Sequence, residues 1–248
     1  MLRRGFLFFV VLPLVMLEGY LLSVRLISQT AQSGLFAENG VFELGTAAFF
    51  CTAGFLAVGL CVRTRGLVPK RYRAVLLLYA LAAWFVTLEE ISYGQHLCGW
   101  KCPKWFTDHS SKNELNLHNL YGNGVSNVMR GAADLGFPIG FLVVPLVAMM
   151  RSNAYTPGRW SYYLLPRTEL LTIILVAQSL TLLENLSKWM VGSSLLIRPG
   201  EVQEFFWAIA AAGYVVVLWR RLLPGRAQET APVILKFQLE TRELRKAA

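Results

Sequence analysis

The sequence predicts an all-α fold, a polytopic membrane helical bundle of about six transmembrane helices. Three observations carry that reading. Hydrophobic residues make up 55% of the chain and charged residues only 16%. Mean hydropathy is +0.46, and the apolar residues collect into runs of about 20, long enough to cross a hydrocarbon core of roughly 30 Å. The basic residues alternate between loops as a multi-pass topology requires. Strands of a membrane barrel would be shorter and would alternate apolar with polar residues, so helices are expected.

The first span, about 5–23, follows "MLRRGF". A basic start and an apolar stretch resemble a signal peptide, but the small-residue pattern near "TAQSG" lies far beyond the apolar stretch, so a retained helix is expected. The second, about 41–63, contains Gly45, Gly54 and Gly59, which permit close helix contacts. The third, about 73–93, ends in "LEEISYGQHL". The fourth, fifth and sixth are expected at about 132–150, 168–188 and 203–223. Together they form one transmembrane domain, 1–223, with an outer loop at 94–131 and a tail at 224–248. No repeat, nucleotide loop or low-complexity tract interrupts the series.

The net charge of +9 is explained by topology rather than by nucleic acid. Arg3 and Arg4, then Arg63, Arg65, Lys70, Arg71 and Arg73, then Arg151, Arg159 and Arg167, and finally the residues after the sixth span all fall on one side. The positive-inside rule places both termini in the cytoplasm of a bacterial cytoplasmic (inner) membrane, with the opposite face toward the periplasm or exterior.

Measured from the basic boundary at 1.5 Å per residue, Glu89, Glu184 and Glu204 lie roughly 24–26 Å up their helices and Glu18 roughly 21 Å. Glu43 falls at the outer edge. An ionised carboxylate facing lipid costs several kcal/mol, so such groups turn inward and mark a site. Glu89 and Glu90 are adjacent carboxylates, which need a proton, a cation or a metal to coexist. On a continuing helix Glu89 would share a face with His96 while Glu90 points about 100° away. The fifth helix carries a polar stripe of Gln178, Thr181, Asn185 and Lys188 beside Glu184. The spacing of Glu184 and Lys188 also suits an ordinary helix pair, and Glu201 and Glu204 sit where carboxylates offset a helix dipole.

His96, His109 and His118 all fall in the outer loop. His118, in "NELNLHNLYGNG", has Glu114 four residues before it and Asn119 after it. It is the strongest metal or acid/base candidate, whereas His109 reads as exposed loop. Carboxylate with imidazole suits zinc, iron or manganese. Cys98 and Cys102, in "CGWKC", suit a local disulfide or, less well, a metal corner.

"LEEISYGQ" followed by "NELNLHNL" resembles the E-E-I-S-W/Y-G-Q and N-L-H-N signatures of a group of bacterial multi-pass membrane proteins. That resemblance covers about residues 85–125. It implies a shared site with Glu89, Glu90, Gln95 and His118 but no named reaction. More distantly, the glutamates and histidine are similar in style to alkaline ceramidase and related membrane hydrolases, which have seven spans. The paired glutamates also resemble those of membrane-embedded prenyl-protein proteases, although Tyr93, Gly94 and Gln95 stand where those enzymes carry arginine.

The leading expectation is a membrane enzyme, a hydrolase or transferase, acting on a lipid or lipid-linked substrate near the outer leaflet. Glu89 or Glu90 and His118 would activate water or hold a metal, with His96, Glu184 and Glu204 as further ligands. Glu18, Glu43, Gln95, Glu114, Asn119, Gln178, Asn185, Lys188 and Glu201 would give substrate or structural support. The alternatives are a non-catalytic assembly subunit, in which the polar cluster locks helices or docks a partner, and a transporter. The inner halves "LLLYALAA" and "AAAGYVVVLW" carry no ionisable group, which weighs against proton relay across the bilayer.

Overall fold

The computed structural model describes residues 6–26, 40–110, 115–117, 120–121, 123–151, 153–166 and 168–222. The tail at 224–248 lies outside them. Among the described residues the fold is all-α, and six helices are long and apolar enough to cross a membrane. The helices are α1 (Leu7–Leu26), α2 (Val41–Arg63), α3 (Lys70–Glu90), the one-turn α4 (Gln95–Cys98), α5 (Lys104–His109), α6 (Asn127–Met149, continuous with a first turn from Asn123), α7 (Trp160–Leu164), α8 (Leu171–Val191) and α9 (Pro199–Leu222).

The expected boundaries move in ways that residue chemistry explains. The third span stops at Glu90, because Ser92, Tyr93 and Gly94 all take positive φ and no helix continues through them. The sixth starts at Pro199, a residue suited to a first helical turn, and runs to Leu222. The fourth helix begins earlier than the apolar run, at Asn123, and has a π-helical turn at Ile139–Val143. Pro145 lies two residues beyond that turn and lacks the N–H a regular α-helical bond would use there.

The helices divide into a packed core and a loose rim. α9 is the axis: Val202, Phe206, Trp207, Ala208, Ala210, Ala211, Val215 and Leu218 are all buried. Its small residues let α2 and α8 approach, and α2 in turn packs along α3. Gly54 shows why a small side chain is needed on α2, since any Cβ there would run into the Trp84 indole of α3. Without water to drive helices together inside a bilayer, close packing of this kind is what holds them.

α1 and α6 attach by a few anchors. Phe9 packs over Gly213 of α9, and the Tyr20 hydroxyl donates to the Ile197 carbonyl at 2.9 Å. Phe137 stacks on Trp207 with centroids 5.1 Å apart, and Phe141 meets Tyr214 edge-on. Their outer faces expose Leu14, Val15, Leu22, Leu135, Ile139, Val143 and Val147, side chains that suit lipid. At the basic end, α7 is tied to α9 by Arg221, whose Nη1 donates to the carbonyls of Tyr162 at 3.1 Å and Leu165 at 2.6 Å.

Candidate functional site at the acidic end

The site is built around the end of α3. Ser92 (φ 47°), Tyr93 (φ 52°) and Gly94 (φ 81°) are left-handed in succession. Only Gly94 adopts that conformation freely, and each of the others costs on the order of 1 kcal/mol or more. The reversal stops His96 from continuing the helical face of Glu89. Instead it brings Glu89, Ser92 and Gln95 onto one short segment of the outer loop.

That segment is residues 115–117. Gln95 Oε1 accepts the Leu115 N–H at 2.6 Å. Both Glu89 carboxylate oxygens accept the Leu117 N–H, Oε2 at 2.9 Å and Oε1 at 3.2 Å. Between them, Asn116 Nδ2 donates to Ser92 Oγ at 3.4 Å. Glu89, Ser92, Gln95 and Asn116 are all buried. The two sequence motifs are thus the halves of one polar clamp. Burial, followed by the hydrogen bond to Glu89 and that residue's charge, holds the Tyr93 phenol well above its usual range.

Glu90 turns the other way. It feels the charges of Glu204, then Glu201 and Glu43, so α2 and α9 each contribute carboxylate charge to its surroundings. Glu43 and Glu201 occupy first helical turns, where the positive end of the helix dipole favours them. Glu90 sits at the C-terminal end of α3, where the dipole opposes its charge. Crowded like charges are stabilised by a shared proton or a cation.

Two contacts and one buried hydroxyl on the same helices and α6 were overlooked in the sequence. Gln203, buried one residue before Glu204, donates to Asp134 Oδ1 of α6 at 3.0 Å. The Arg130 guanidinium occupies the space that any side chain at position 200 would need, so Gly200 permits its approach. Thr46, three residues after Glu43, is buried and its Oγ1 has no hydrogen-bond partner. An acid at 134 inside an otherwise apolar run was the available signal.

The remaining predicted residues are dispersed. Glu184 pairs with Lys188 at 2.6 Å on a largely exposed face, and Asn185 beside them is exposed. Gln178 Nε2 and Thr181 Oγ1 are buried without hydrogen-bond partners among the described residues. Glu18 is exposed on the outer surface of α1 rather than turned into the bundle, because Phe9 and Tyr20 fix the opposite face of that helix inward. Cys98 and Cys102 are not joined in a disulfide. The two left-handed glycines, Gly94 and Gly99, confine α4 to a single turn between them. His109 stacks on Trp105 with its Nδ1 2.8 Å from that residue's carbonyl oxygen, at the exposed end of α5. Glu114, His118 and Asn119 lie outside the described residues, as does the side chain of His96.

Among the described residues, no three His, Cys, Asp or Glu side chains are grouped as a ready metal-ligand set. Of the expected ligands Glu89, His96, His118, Glu184 and Glu204, the described carboxylates have other engagements: Glu89 accepts from Leu117 and Glu184 pairs with Lys188. No family model matches the chain, and no curated protein or solved structure matches it either.

Proposed function

We propose that this chain is a membrane-embedded enzyme whose acidic end carries out acid/base or metal-assisted hydrolysis or group transfer on a lipid or lipid-linked substrate. In this reading it lies in a bacterial cytoplasmic membrane, with its termini in the cytoplasm and the acidic end toward the periplasm. The observation that carries the proposal is Glu90, placed at the C-terminal end of α3 against the helix dipole and electrostatically coupled to Glu43, Glu201 and Glu204 of two other helices.

A carboxyl held among other carboxylates is suited to keep a proton and deliver it, or to take one from water. Glu90 is the proton carrier in this scheme, and Glu43, Glu201 and Glu204 tune and orient it. Glu89, Ser92 and Gln95 are positioning residues. They fix Leu117, and His118 is the next residue in the chain. A zinc, iron or manganese ion, if these carboxylates and His118 held one, would supply a bound water of lowered pKa. The position of the cluster near one end of membrane-length helices supports a substrate with a headgroup at the bilayer surface. The resemblance to bacterial proteins with the E-E-I-S and N-L-H-N signatures fits the same proposal.

The test is turnover of a lipid panel by the full chain in detergent, wild type beside Glu90→Gln and His118→Ala, with metal content and folding measured in each. Loss of turnover with the fold retained supports the enzyme. Unchanged turnover in Glu90→Gln, or no turnover in wild type on any lipid tested, overturns it.

A second reading, a non-catalytic assembly subunit, is favoured by one specific observation. The clamp commits three polar side chains of the main motif to holding a loop. That reading expects partner capture to fail when the clamp is broken, with Glu90→Gln harmless.

A further inference from the structure

The opposite, basic end of the bundle holds a cavity of about 520 Å³ between the α2–α3 loop and Tyr163. Among the described residues, Arg65, Lys70 and Arg73 line it and no Asp or Glu does. The loop turns back at Gly66, whose φ is 89°, and this brings Arg65 round to the first turn of α3. Arg73 Nε is buried and, among the described residues, has no acceptor. A buried guanidinium N–H without a partner is unusual in a folded protein and calls for an anionic or carbonyl oxygen. The backbone N–H groups that open α3 add the positive end of a helix dipole. The far wall is rigid, because Tyr163 stacks on Tyr72 with ring centroids 4.9 Å apart.

We propose that this cavity binds a phosphate group, carried either by the headgroup of an anionic phospholipid in the adjacent leaflet or by a soluble phosphate ester. Three cations around one opening, with a helix N-terminus beside them, match a tetrahedral oxyanion. α2 ends and α3 begins at this level, which is where lipid headgroups lie. Basic pockets between membrane helices recognise such headgroups through charge and directed hydrogen bonds. The inference is independent of the acidic end and of its proposed chemistry.

The test is native mass spectrometry of the full chain in detergent, titrated separately with phosphatidylglycerol, phosphatidylcholine and inorganic phosphate. Arg65→Gln/Arg73→Gln is compared with Arg151→Gln/Arg159→Gln, a pair of equal charge at exposed positions that do not line the cavity. The cavity pair is expected to weaken phosphatidylglycerol binding about tenfold and the control pair less than about twofold. Arg73→Lys, which keeps charge but loses Nε–H, is expected to fall between them. If inorganic phosphate alone shows this dependence, the source is a soluble phosphate; if phosphatidylglycerol alone shows it, the source is lipid. Equal losses in the two double variants, or no preference of the wild type for phosphatidylglycerol or phosphate over phosphatidylcholine, would overturn the proposal. Circular dichroism checks the fold, and if the cavity pair unfolds, Lys70→Gln and Arg73→Lys carry the same comparison.

Discussion

Glu89 and Glu90 are neighbours in the chain, yet they meet opposite surroundings. Glu89 is buried and accepts a backbone N–H from the outer loop with both oxygens. Glu90 meets other carboxylates on α2 and α9. The roughly 100° between successive helical residues separates a group that holds structure from one whose charge is left to be balanced. A pair of glutamates at a helix end therefore divides into one that holds a loop and one that is coupled to the carboxylates of neighbouring helices.

The largest expected effect comes from breaking the architectural side. Glu89→Leu removes the carboxylate acceptor of the part-buried Leu117 N–H and is expected to cost about 1.5–3 kcal/mol, read as a lower melting temperature in detergent. Glu89→Gln keeps an acceptor oxygen and is expected to cost about 1 kcal/mol. A fold indifferent to Glu89→Leu would remove the distinction between the two residues. Glu90→Gln should do the reverse, leaving the melting temperature unchanged or higher because it relieves repulsion among the carboxylates, while abolishing any turnover.

Gln95→Ala should cost about 1–2 kcal/mol and speed hydrogen exchange at Leu115 and Leu117 more than elsewhere. Protection unchanged there would mean that the loop is held by other contacts. The clamp also has an alkaline signature. Because the Tyr93 phenol is raised in the folded chain, its contribution to stability is complete below the unfolded phenol pKa of about 10 and is lost as pH rises above it. Wild type should therefore lose melting temperature more steeply above about pH 10 than Tyr93→Phe; parallel curves would exclude the Tyr93 contribution. The smallest effect belongs to Lys188→Ala. Its exposed pair with Glu184 is worth only about 0.5 kcal/mol or less, and a larger loss would show that α8 needs that pair.

Legibility in the sequence followed the range of the interactions. The apolar runs of α2, α3 and α9 identify themselves because hydropathy over about 20 residues is a property of the run alone. Height was approachable for a related reason: a rise of 1.5 Å per residue converts sequence position into height and puts Glu18, Glu89, Glu184 and Glu204 in one layer, with Glu43 at its outer edge. Azimuth was not legible. Height alone put Glu18 and Glu184 in the same layer, and the structure turns Glu18 outward and pairs Glu184 with Lys188.

The clamp shows the same limit from the other side. "EEISYGQ" and "NELNLHNL" could be seen to belong together as motifs, but their connection runs through backbone N–H groups of Leu115 and Leu117. Side-chain identity does not encode such partners. The left-handed run at Ser92 and Tyr93 was equally hidden, since only Gly94 there advertises a positive φ.

By itself, then, the sequence determined an all-α membrane bundle, its approximate spans and the segregation of acidic from basic ends, because burial in lipid selects on local composition. Tertiary structure alone decided which carboxylate grips the loop and which joins the cluster. It also decided that Asp134 meets Gln203 and that Arg73 opens toward a cavity. Those outcomes depend on how helices rotate and approach one another, and that is settled by close packing around residues such as Gly54, Gly200 and Gly213 rather than by any one segment's hydropathy.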